Sequence, residues 1–378
     1  MQGAAVRRAA VRGAAVRRAA VRGAAVRRGE VRRGAVRRAA VRAGALVALV
    51  GCLLGCAQQP DLTLHPDRPA VTYRPLTHPF RDARLAVDPD SEAARYERAN
   101  GADWLEPIAG QPQARWINSP QDLDTLPELL QAARAQDALP VLVAYWIPDR
   151  GCSHHKQGAP SAAAYRDWIG SMIRRLGSTR AVVVLEPDGL PADCFDAGRA
   201  RLMAETVRRL ETAGQSVYID AGHAAWKSTG DTAERLLAAG IADAEGFAVN
   251  VSNRQTTAAS VAWGRELSDL VGHRPFVVDV SRNGIGPPPD RKDSDQEWCN
   301  PAHQALGAPP TTSPGLPGVD ALLWIKRPGE SDGECGGETS YFFSARQAQL
   351  LIENSPHVTP AGRQQAAAAT APPSDGRP

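Results

Sequence analysis

V-V-V-L-E-P-D-G-L-P, at residues 182–191, is the stretch that decides the fold class. Its apolar run ends abruptly in two carboxylates and two prolines. A run this short is typical of a strand that is buried on both faces, as in parallel sheets. In an α/β sheet or barrel, the residues at the carboxyl end of a strand face the substrate. The stretch therefore predicts that Asp188 acts on a bound molecule. The alternative is that Glu186 and Asp188 only cap the following turn.

Similar apolar runs alternate with helical patterns between residues 79 and 354. Strict alternation of strands and helices predicts right-handed βαβ units and a parallel sheet. About seven strands fit an α/β fold in the form of a distorted, closed or nearly closed parallel (β/α) barrel. An open doubly wound sheet is the alternative, but no G-x-G-x-x-G loop follows any strand, so we expect no nucleotide cofactor. The predicted strands are 114–118, 141–147, 181–186, 216–220, 246–251, 275–280 and 321–326, and the predicted helices are 124–137, 161–176, 200–213, 231–240 and 257–271.

The first 42 residues repeat A-V-R-R-A and A-V-R-G-A, with 13 arginines and one acidic residue, and have no means of forming a core. A basic arm that binds nucleic acid is one interpretation, although no aromatic residue or second basic motif supports it. The other is an over-extended translation start ahead of a signal peptide. Residues 43–55 are uncharged and apolar, long enough for the core of a signal peptide and too short to span a bilayer. We therefore predict that the protein is exported.

The predicted signal, residues 43–56, ends in Leu53-Leu54-Gly55-Cys56, which is similar to a bacterial lipobox. In a lipobox Cys56 would carry lipid, which gives a surface anchor rather than a membrane span. A plain secreted protein with an incidental cysteine is the alternative. Proline-rich residues 57–78 are predicted as a linker, residues 79–355 as the main domain, and residues 356–378 as a disordered tail, because they contain almost no large apolar residue.

Residues 1–56, here called the leader, differ from the rest of the chain in both charge and cysteine content. The leader holds 13 of the 44 basic residues and one of the 41 acidic residues, which leaves 31 basic and 40 acidic residues in the rest of the chain. This acidic balance argues against a nucleic-acid partner. Four cysteines in an oxidising compartment predict two disulfides, whereas a structural zinc site would need closely spaced C-x-x-C pairs. These four are Cys152, Cys194, Cys299 and Cys335.

Polar and aromatic side chains follow the predicted strands at their carboxyl ends. Because these ends meet at one face of a barrel, we expect a cleft of carboxylates, aromatic rings and amides. Aromatic faces stack on sugar rings, and carboxylates and amides bind hydroxyls, so the cleft predicts a carbohydrate ligand. Several aspartates facing one cleft predict acid/base cleavage of a glycoside. No metal site is expected, because His154, His155 and His223 are too scattered. The residues at the strand ends are Trp116, Tyr145, Trp146, Glu186, Asp188, Asp220, His223, Asn250, Asn253, Asp279 and Lys326.

Longer motifs, each occurring once, surround these residues. They are L-E-P-D at 185–188, Y-I-D-A-G-H-A-A-W at 218–226, N-V-S-N at 250–253, V-V-D-V-S-R-N-G at 277–284, E-W-C-N-P at 297–301 and L-W-I-K-R-P-G-E-S-D-G at 323–333. Together they resemble glycoside hydrolase family six, the inverting cellulases that cut β-1,4-glucan. The resemblance implies a secreted or surface-anchored, monomeric β-1,4-glucanase that acts on cellulose or related β-glucans without a cofactor. Short connections favour an endoglucanase, because they leave little sequence for loops that roof a tunnel.

The resemblance also implies a role for each matching residue. Asp188 is the general acid that protonates the departing oxygen, which requires a raised carboxyl pKa. Asp279 is the candidate base, with an ion pair to Arg282 or Lys326 as the alternative. Asp220 is an auxiliary residue or, alternatively, a helix cap. The implied disulfides join Cys152 to Cys194 and Cys299 to Cys335. The implied sugar-binding residues, of which any tryptophan could instead belong to the core, are Trp116, Tyr145, His223, Trp226, Asn250, Trp298, Lys326, Glu330 and Asp332.

One departure from the family pattern concerns the loop before the first disulfide cysteine. The family usually has P-x-R-D-C, whose aspartate helps to keep the acid protonated, whereas this chain has Pro148-Asp149-Arg150-Gly151-Cys152. The loop at 154–158 also lacks the serine–glycine character of the family's mobile loop, and Gly189 after the acid is unusual. A catalytically impaired relative that binds β-glucan without efficient turnover is therefore the alternative to an active enzyme.

Overall fold

A computed structural model of the chain describes residues 71–152, 157–288, 299–339 and 342–369. Its strands form one parallel sheet in which each strand pairs with the next one along the sequence. The α/β class and the seven-stranded parallel sheet predicted from the sequence are confirmed. The strands are β1 Arg115–Ile117, β2 Val141–Ala144, β3 Val182–Leu185, β4 Ser216–Asp220, β5 Gly246–Val249, β6 Phe276–Asp279 and β7 Val319–Leu323.

Helices connect the strands, and the five predicted from the sequence correspond to α3–α7 below. Several begin at a side chain that accepts the amide three residues on, as Ser161, Asp196 and Ser228 do. Such caps satisfy an otherwise free helical N–H. The α-helices of the described residues are α1 Glu92–Asn100, α2 Glu106–Ala109, α3 Leu126–Ala135, α4 Ala162–Leu176, α5 Ala197–Thr212, α6 Thr229–Ala238, α7 Thr257–Leu270, α8 Ala345–Glu353 and α9 Pro360–Ala368.

The sheet curls until its two edges approach one another. Just before β1, the Ala114 amide donates to the Trp324 carbonyl at 2.9 Å. The Trp116 indole Nε1 donates to the Ile325 carbonyl at 2.7 Å. Between the described residues of β1 and β7 there is no paired register, in contrast to all other neighbouring strands. The sheet is therefore a distorted and nearly closed barrel.

Strand β3 is buried on both faces, as its apolar run predicts. Val182 and Val184 face the interior of the barrel and belong to one buried cluster with Trp116. Val183 and Leu185 belong to a second cluster, which lies between the sheet and the helices. Because successive strand side chains point to opposite faces, this alternation fixes which residues at the strand ends approach the interior.

The predicted disordered tail at residues 356–378 is wrong for its first part. Residues Pro360–Ala368 form helix α9, which begins at Thr359, whose side chain accepts the Gly362 amide. Ala366 is fully buried, and its carbonyl accepts a hydrogen bond from Gln349 on α8 at 2.8 Å. The absence of large apolar residues misled the prediction, because alanine is the best helix former and its small side chain packs closely.

The predictions for residues 1–42, the signal at 43–56 and most of the linker lie outside the described residues. The last part of the predicted linker, 71–78, is instead packed on the barrel. The Arg74 amide donates to the Ala242 carbonyl at 2.8 Å. The buried Glu245 carboxylate accepts the amides of Thr77 and His78. In the part of the chain that the structure describes, no helix has the length and apolarity needed to cross a membrane.

Close packing of α7 on β6 gives a stability prediction. A Cβ atom at Gly264 would lie 2.5 Å from the Phe276 ring, too close for van der Waals contact. We expect Gly264→Ala to lower the free energy of unfolding by about 1–3 kcal/mol, because overpacking displaces the ring. Urea denaturation measures this. Gly230→Ala on α6 is the control, since a Cβ there meets nothing nearer than 4.0 Å. It should be neutral or up to about 1 kcal/mol stabilising, and equal stability of the two variants would contradict the prediction.

Candidate active site

Asp188 lies in a tight turn after β3. The Gly189 amide donates to the Glu186 carbonyl at 2.9 Å, which closes the turn. Glu186 and Asp188 both have left-handed backbone angles, with φ of 50° and 66°, a strained conformation for residues with side chains that is frequent at functional sites. A Cβ at Gly189 would lie 2.9 Å from the Glu186 carbonyl oxygen. A larger residue here would need a local shift of the turn, so glycine fits this conformation.

The Asp188 carboxyl is exposed on one side and surrounded by protein on the others. Loss of hydration raises its pKa to about 6, against the opposing effects of Lys326 and Arg150; Asp332 adds to the rise. The nearby Tyr145 hydroxyl favours the ionised form of the carboxyl and so lowers its pKa. A carboxyl with this pKa is available both to give and to hold a proton close to neutral pH, as a general acid must.

Asp220, the last residue of β4, holds the turn that carries Asp188. Its Oδ2 accepts the Asp188 amide at 2.9 Å. Burial, and then the charge of Asp188, raises its pKa well above the ordinary value. Its Oδ1 is buried and has no partner among the described residues. The helix-cap alternative is not supported, because the following helix, α6, is capped by Ser228.

Asp279, the predicted base, is fully buried at the end of β6. Its Oδ1 accepts the amides of Ser281 and Ile325 at 2.9 and 3.2 Å. Its Oδ2 accepts the amides of Ser252 and Lys326 at 2.9 and 3.0 Å. Backbone donors therefore occupy both oxygens, and the carboxyl has no contact with solvent. This geometry argues against a base role and ties together the ends of β5, β6 and β7; among the described residues Asp279 forms no side-chain ion pair.

Three cationic side chains surround the Asp332 carboxylate. Arg282 Nη1 lies 2.8 Å from both of its oxygens, Arg254 Nη2 at 3.2 Å from Oδ2, and Lys326 Nζ at 3.7 Å from Oδ1. Burial opposes its ionisation, but the three cations outweigh burial and hold its pKa well below the ordinary range. Asn300 fixes its backbone by accepting the Asp332 amide at 2.8 Å. The sequence assigned Asp332 to sugar binding and gave Arg254 and Asn300 no role.

Several of the predicted sugar-binding residues contact one another through their aromatic rings. Trp226 is 41% exposed and packs against His223 in a tilted arrangement, with ring centroids 5.6 Å apart. Trp116 packs edge-on against Tyr145, at 5.1 Å, and Lys326 Nζ lies 6.0 Å from the Trp116 ring.

Two other predicted sugar-binding residues, Glu330 and Asn250, form their polar contacts within the protein. Glu330 pairs with Lys326 at 2.9 Å and with Arg327. Asn250 is fully buried, and its amide binds the Asp279 carbonyl and residues 253–255 of its own loop. These contacts argue against direct sugar binding by Asn250, because its polar atoms hold the loop. Trp298 lies outside the described residues.

Both disulfides join the cysteines that the resemblance implied. Cys152 pairs with Cys194 and Cys299 with Cys335, with Cα–Cα distances of 5.4 and 6.0 Å. Arg199 on α5 reinforces the first bridge: it donates to the Asp149 carbonyl at 2.9 Å and to the Gly189 carbonyl at 3.3 Å. The loops after β2 and β3 are therefore linked twice. Nothing in a linear sequence marks such a cation, because its partners are backbone carbonyls.

The loop at Gly151 has room for a larger residue. Among the described residues, which do not include the adjacent positions 153–156, a Cβ there would meet only Gln157 Oε1, at 3.9 Å. The neighbouring Arg150 donates to the Tyr145 carbonyl at 2.6 Å, and its guanidinium carbon lies 4.0 Å from the Tyr145 ring centroid. Asp149 has an exposed side chain. Across the described ranges, no group of three or more histidine, cysteine, aspartate or glutamate side chains is placed to hold a metal ion.

A nearly closed (β/α) barrel, with an acid of raised pKa and an exposed tryptophan at the carboxyl ends of its strands, defines a carbohydrate-cleaving hydrolase. A family model described as glycosyl hydrolases family 6 matches residues 80–365. The chain therefore belongs to glycosyl hydrolases family 6, a family of glycoside hydrolases, and the resemblance read from its motifs is confirmed.

Endoglucanases are among the proteins to which the chain is similar. Endoglucanase A of Cellulomonas fimi is 40% identical over 261 residues, covering 66% of this chain and 56% of that protein. The chain thus spans little more than half of that relative. Endoglucanase 1 of Streptomyces halstedii is 41% identical over 291 residues, 70% of this chain and 87% of that protein. The solved endoglucanase Cel6 of Mycobacterium tuberculosis, in complex with methyl-cellobiosyl-4-deoxy-4-thio-β-D-cellobioside, has a TM-score of 0.65 at 38% identity and covers 70% of this chain and 95% of that one.

The electrostatic link between Asp332 and Asp188 gives a testable prediction. Asp332→Asn removes a negative charge that raises the Asp188 pKa and leaves cations uncompensated. We therefore expect the Asp188 pKa to fall below about 6, as measured by carboxyl NMR titration with Asp188→Asn for assignment. Asp269→Asn, which removes an exposed carboxylate on α7, is the matched control. An Asp188 pKa that moves equally in both variants would contradict the link.

Asp279 gives the complementary prediction. An amide in place of this carboxylate presents N–H groups to backbone N–H donors, so buried hydrogen bonds are lost. We expect Asp279→Asn to lower the free energy of unfolding by about 1–3 kcal/mol, as measured by thermal denaturation. Wild-type stability would show that the four amide contacts contribute little.

Proposed function

We propose that the chain is an exported, inverting β-1,4-glucanase of the endoglucanase type, which hydrolyses cellulose or related β-glucans. The observation that carries this proposal is Asp188, a carboxyl with a pKa raised to about 6 at the end of a barrel strand, under the influence of the ionised Asp332. Two similar endoglucanases, each at least 40% identical, support the substrate class. Two disulfides support export, because such bonds persist in oxidising compartments.

In the proposed reaction, protonated Asp188 gives its proton to the departing glycosidic oxygen. The carboxylate left behind is stabilised by the Tyr145 hydroxyl and by the charges of Lys326 and Arg150. Asp220 keeps the turn in place through the Asp188 amide. Inversion requires a water molecule to attack the sugar from the opposite side. The proton that this water loses as its oxygen bonds to the sugar is released to solvent, from which Asp188 is protonated again.

We assign the charge that assists this water to Asp332 rather than Asp279. Asp332 is ionised at all working pH values, whereas Asp279 has both oxygens occupied. A carboxylate held by three cations is a weak proton acceptor. Its contribution is therefore chiefly electrostatic: it stabilises the positive charge that develops on the sugar ring in the transition state.

Exposed Trp226 and its neighbour His223 offer a stacking surface for a glucose unit. Trp116, Lys326 and Glu330 form the polar and aromatic wall beside Tyr145. A stacking role for Trp298, action as a monomer and lipidation of Cys56 are further parts of the proposal. Mass spectrometry of the membrane-associated protein tests the last, since an unmodified Cys56 would leave a secreted enzyme.

Sugar release from carboxymethyl cellulose and barley β-glucan by the full chain tests the activity. We expect turnover by the wild type and a loss of roughly 100-fold or more in Asp188→Asn, because general-acid assistance is removed. Cellotetraose binding should persist in the variant. Proton NMR of the first products should show the α-anomer. No product above the Asp188→Asn level, with binding retained, would leave a protein that binds β-glucan without cleaving it.

The acid role predicts a specific pH dependence. Asp188 must be protonated to act, so kcat should fall as the pH rises through about 6. Gly151→Asp adds a negative charge beside Arg150 and should raise the Asp188 pKa further, so that the fall moves to higher pH. Gly151→Asn, which adds similar volume without charge, is the control. A kcat profile that is the same in both variants would exclude position 151 as a source of acid tuning.

A further inference from the structure

Glu186 is a second buried carboxyl in the stretch that carries the acid, and the proposed reaction does not use it. Its side chain is fully buried. Oε1 accepts the Trp146 amide at 3.0 Å and the Tyr165 hydroxyl at 2.8 Å, and Oε2 accepts the Ile147 amide at 3.0 Å. All three partners donate. The site is thus built for a side chain that only accepts, which is the ionised carboxylate.

Burial of the Glu186 carboxylate costs free energy, so the need to fill space does not explain why a charged residue occupies this position. Burial raises the Glu186 pKa to about 7, although its three hydrogen bonds and Arg150 favour the ionised form. The other ionisable groups that sense its charge are Tyr145, Tyr165 and Arg199, from the end of β2, from α4 and from α5. An apolar residue would fill the same space without the penalty of burying a charge.

The amides that Glu186 holds follow Tyr145 directly in the chain. Tyr145 is the residue whose hydroxyl favours the ionised form of the Asp188 carboxyl. Glu186 is itself two residues before Asp188, in the turn closed by Gly189. One side chain therefore joins the segment that carries the acid to the segment that carries its hydroxyl partner.

We propose that Glu186 is a positioning residue that sets the distance between the Tyr145 hydroxyl and the Asp188 carboxyl by clamping the end of β2 to the turn after β3. Tyr165 supports the clamp from α4. The effect on turnover rests on the proposed function. The geometric effect on Asp188 does not, so the two can be tested separately.

The first test compares kcat and KM for Glu186→Gln and Tyr165→Phe on a soluble β-glucan. The glutamine amide presents an N–H group to a backbone N–H and breaks one side of the clamp. A small misplacement of reacting groups lowers the rate strongly, so we expect kcat to fall roughly 10- to 100-fold in Glu186→Gln, with little change in KM. Tyr165→Phe removes one of three hydrogen bonds and should fall less. Because Tyr165 acts through Glu186, the double variant should be no worse than Glu186→Gln.

Glu245→Gln is the matched control. Glu245 is buried at the amino end of the barrel and likewise accepts two consecutive amides, of Thr77 and His78, together with the Thr77 hydroxyl. It should lose stability in thermal denaturation and keep its kcat per folded molecule. If Glu186→Gln and Tyr165→Phe also keep their kcat and lose only stability, as Glu245→Gln is expected to do, the positioning role is overturned.

A second test measures the pKa of Asp188 and does not depend on catalytic turnover. In Tyr165→Phe, which keeps the same net charge, a loosened clamp moves the Tyr145 hydroxyl, which favours ionised Asp188, away from that carboxyl. The Asp188 pKa should therefore rise, as measured by carboxyl NMR. A wild type without turnover overturns the proposed function only, whereas an unchanged Asp188 pKa in Tyr165→Phe overturns the positioning role of Glu186.

Discussion

The removal of several carboxyl groups from water at one face of the barrel is the constraint on which the site depends. A buried carboxyl must either stay protonated or find donors and cations that replace its hydration. Asp279 does so with four backbone amides, and Asp332 does so with three cations. Asp220 has an unpartnered oxygen in the described structure, and its pKa is raised strongly. Of these four described carboxyl groups, only Asp188 combines a moderately raised pKa with an exposed side. The role of each carboxyl follows from how its lost hydration is replaced.

The barrel itself was predictable because its signal is local. The apolar run that ends at Leu185 and the helix that ends at Leu176 each carry their own periodicity and punctuation. The parallel order then follows from the alternation of elements. Helix α9 was not predicted from the sequence, because it contains no large apolar side chain. Its alanines nevertheless favour a helix.

The site was predictable as a set of residues and less so as a set of roles. Aspartates at the ends of strands were found in the right places, but a sequence cannot tell a carboxylate that faces water from one whose oxygens bind amides. The sequence therefore gave no sign that the polar atoms of Asp279 and Asn250 bind the backbone of their own loops and strand ends. Their donors come from elements far apart in the chain, such as Lys326. Only the folded backbone brings these partners together.

The loop after β2 shows how this chain can keep its acid in place while it lacks the family's usual aspartate at position 151. That aspartate would act on the proton of Asp188 through space, by its charge. The links that remain act through position instead: Arg150 holds the Tyr145 carbonyl, Glu186 holds the next two amides, and the bridge from Cys152 fixes the end of the loop. Electrostatic tuning and positioning of the acid are therefore separable here. Burial supplies the larger part of the raised pKa of Asp188, so the loss of one tuning charge leaves the acid with a pKa of about 6, and the structural links keep Tyr145 where that proton is given up.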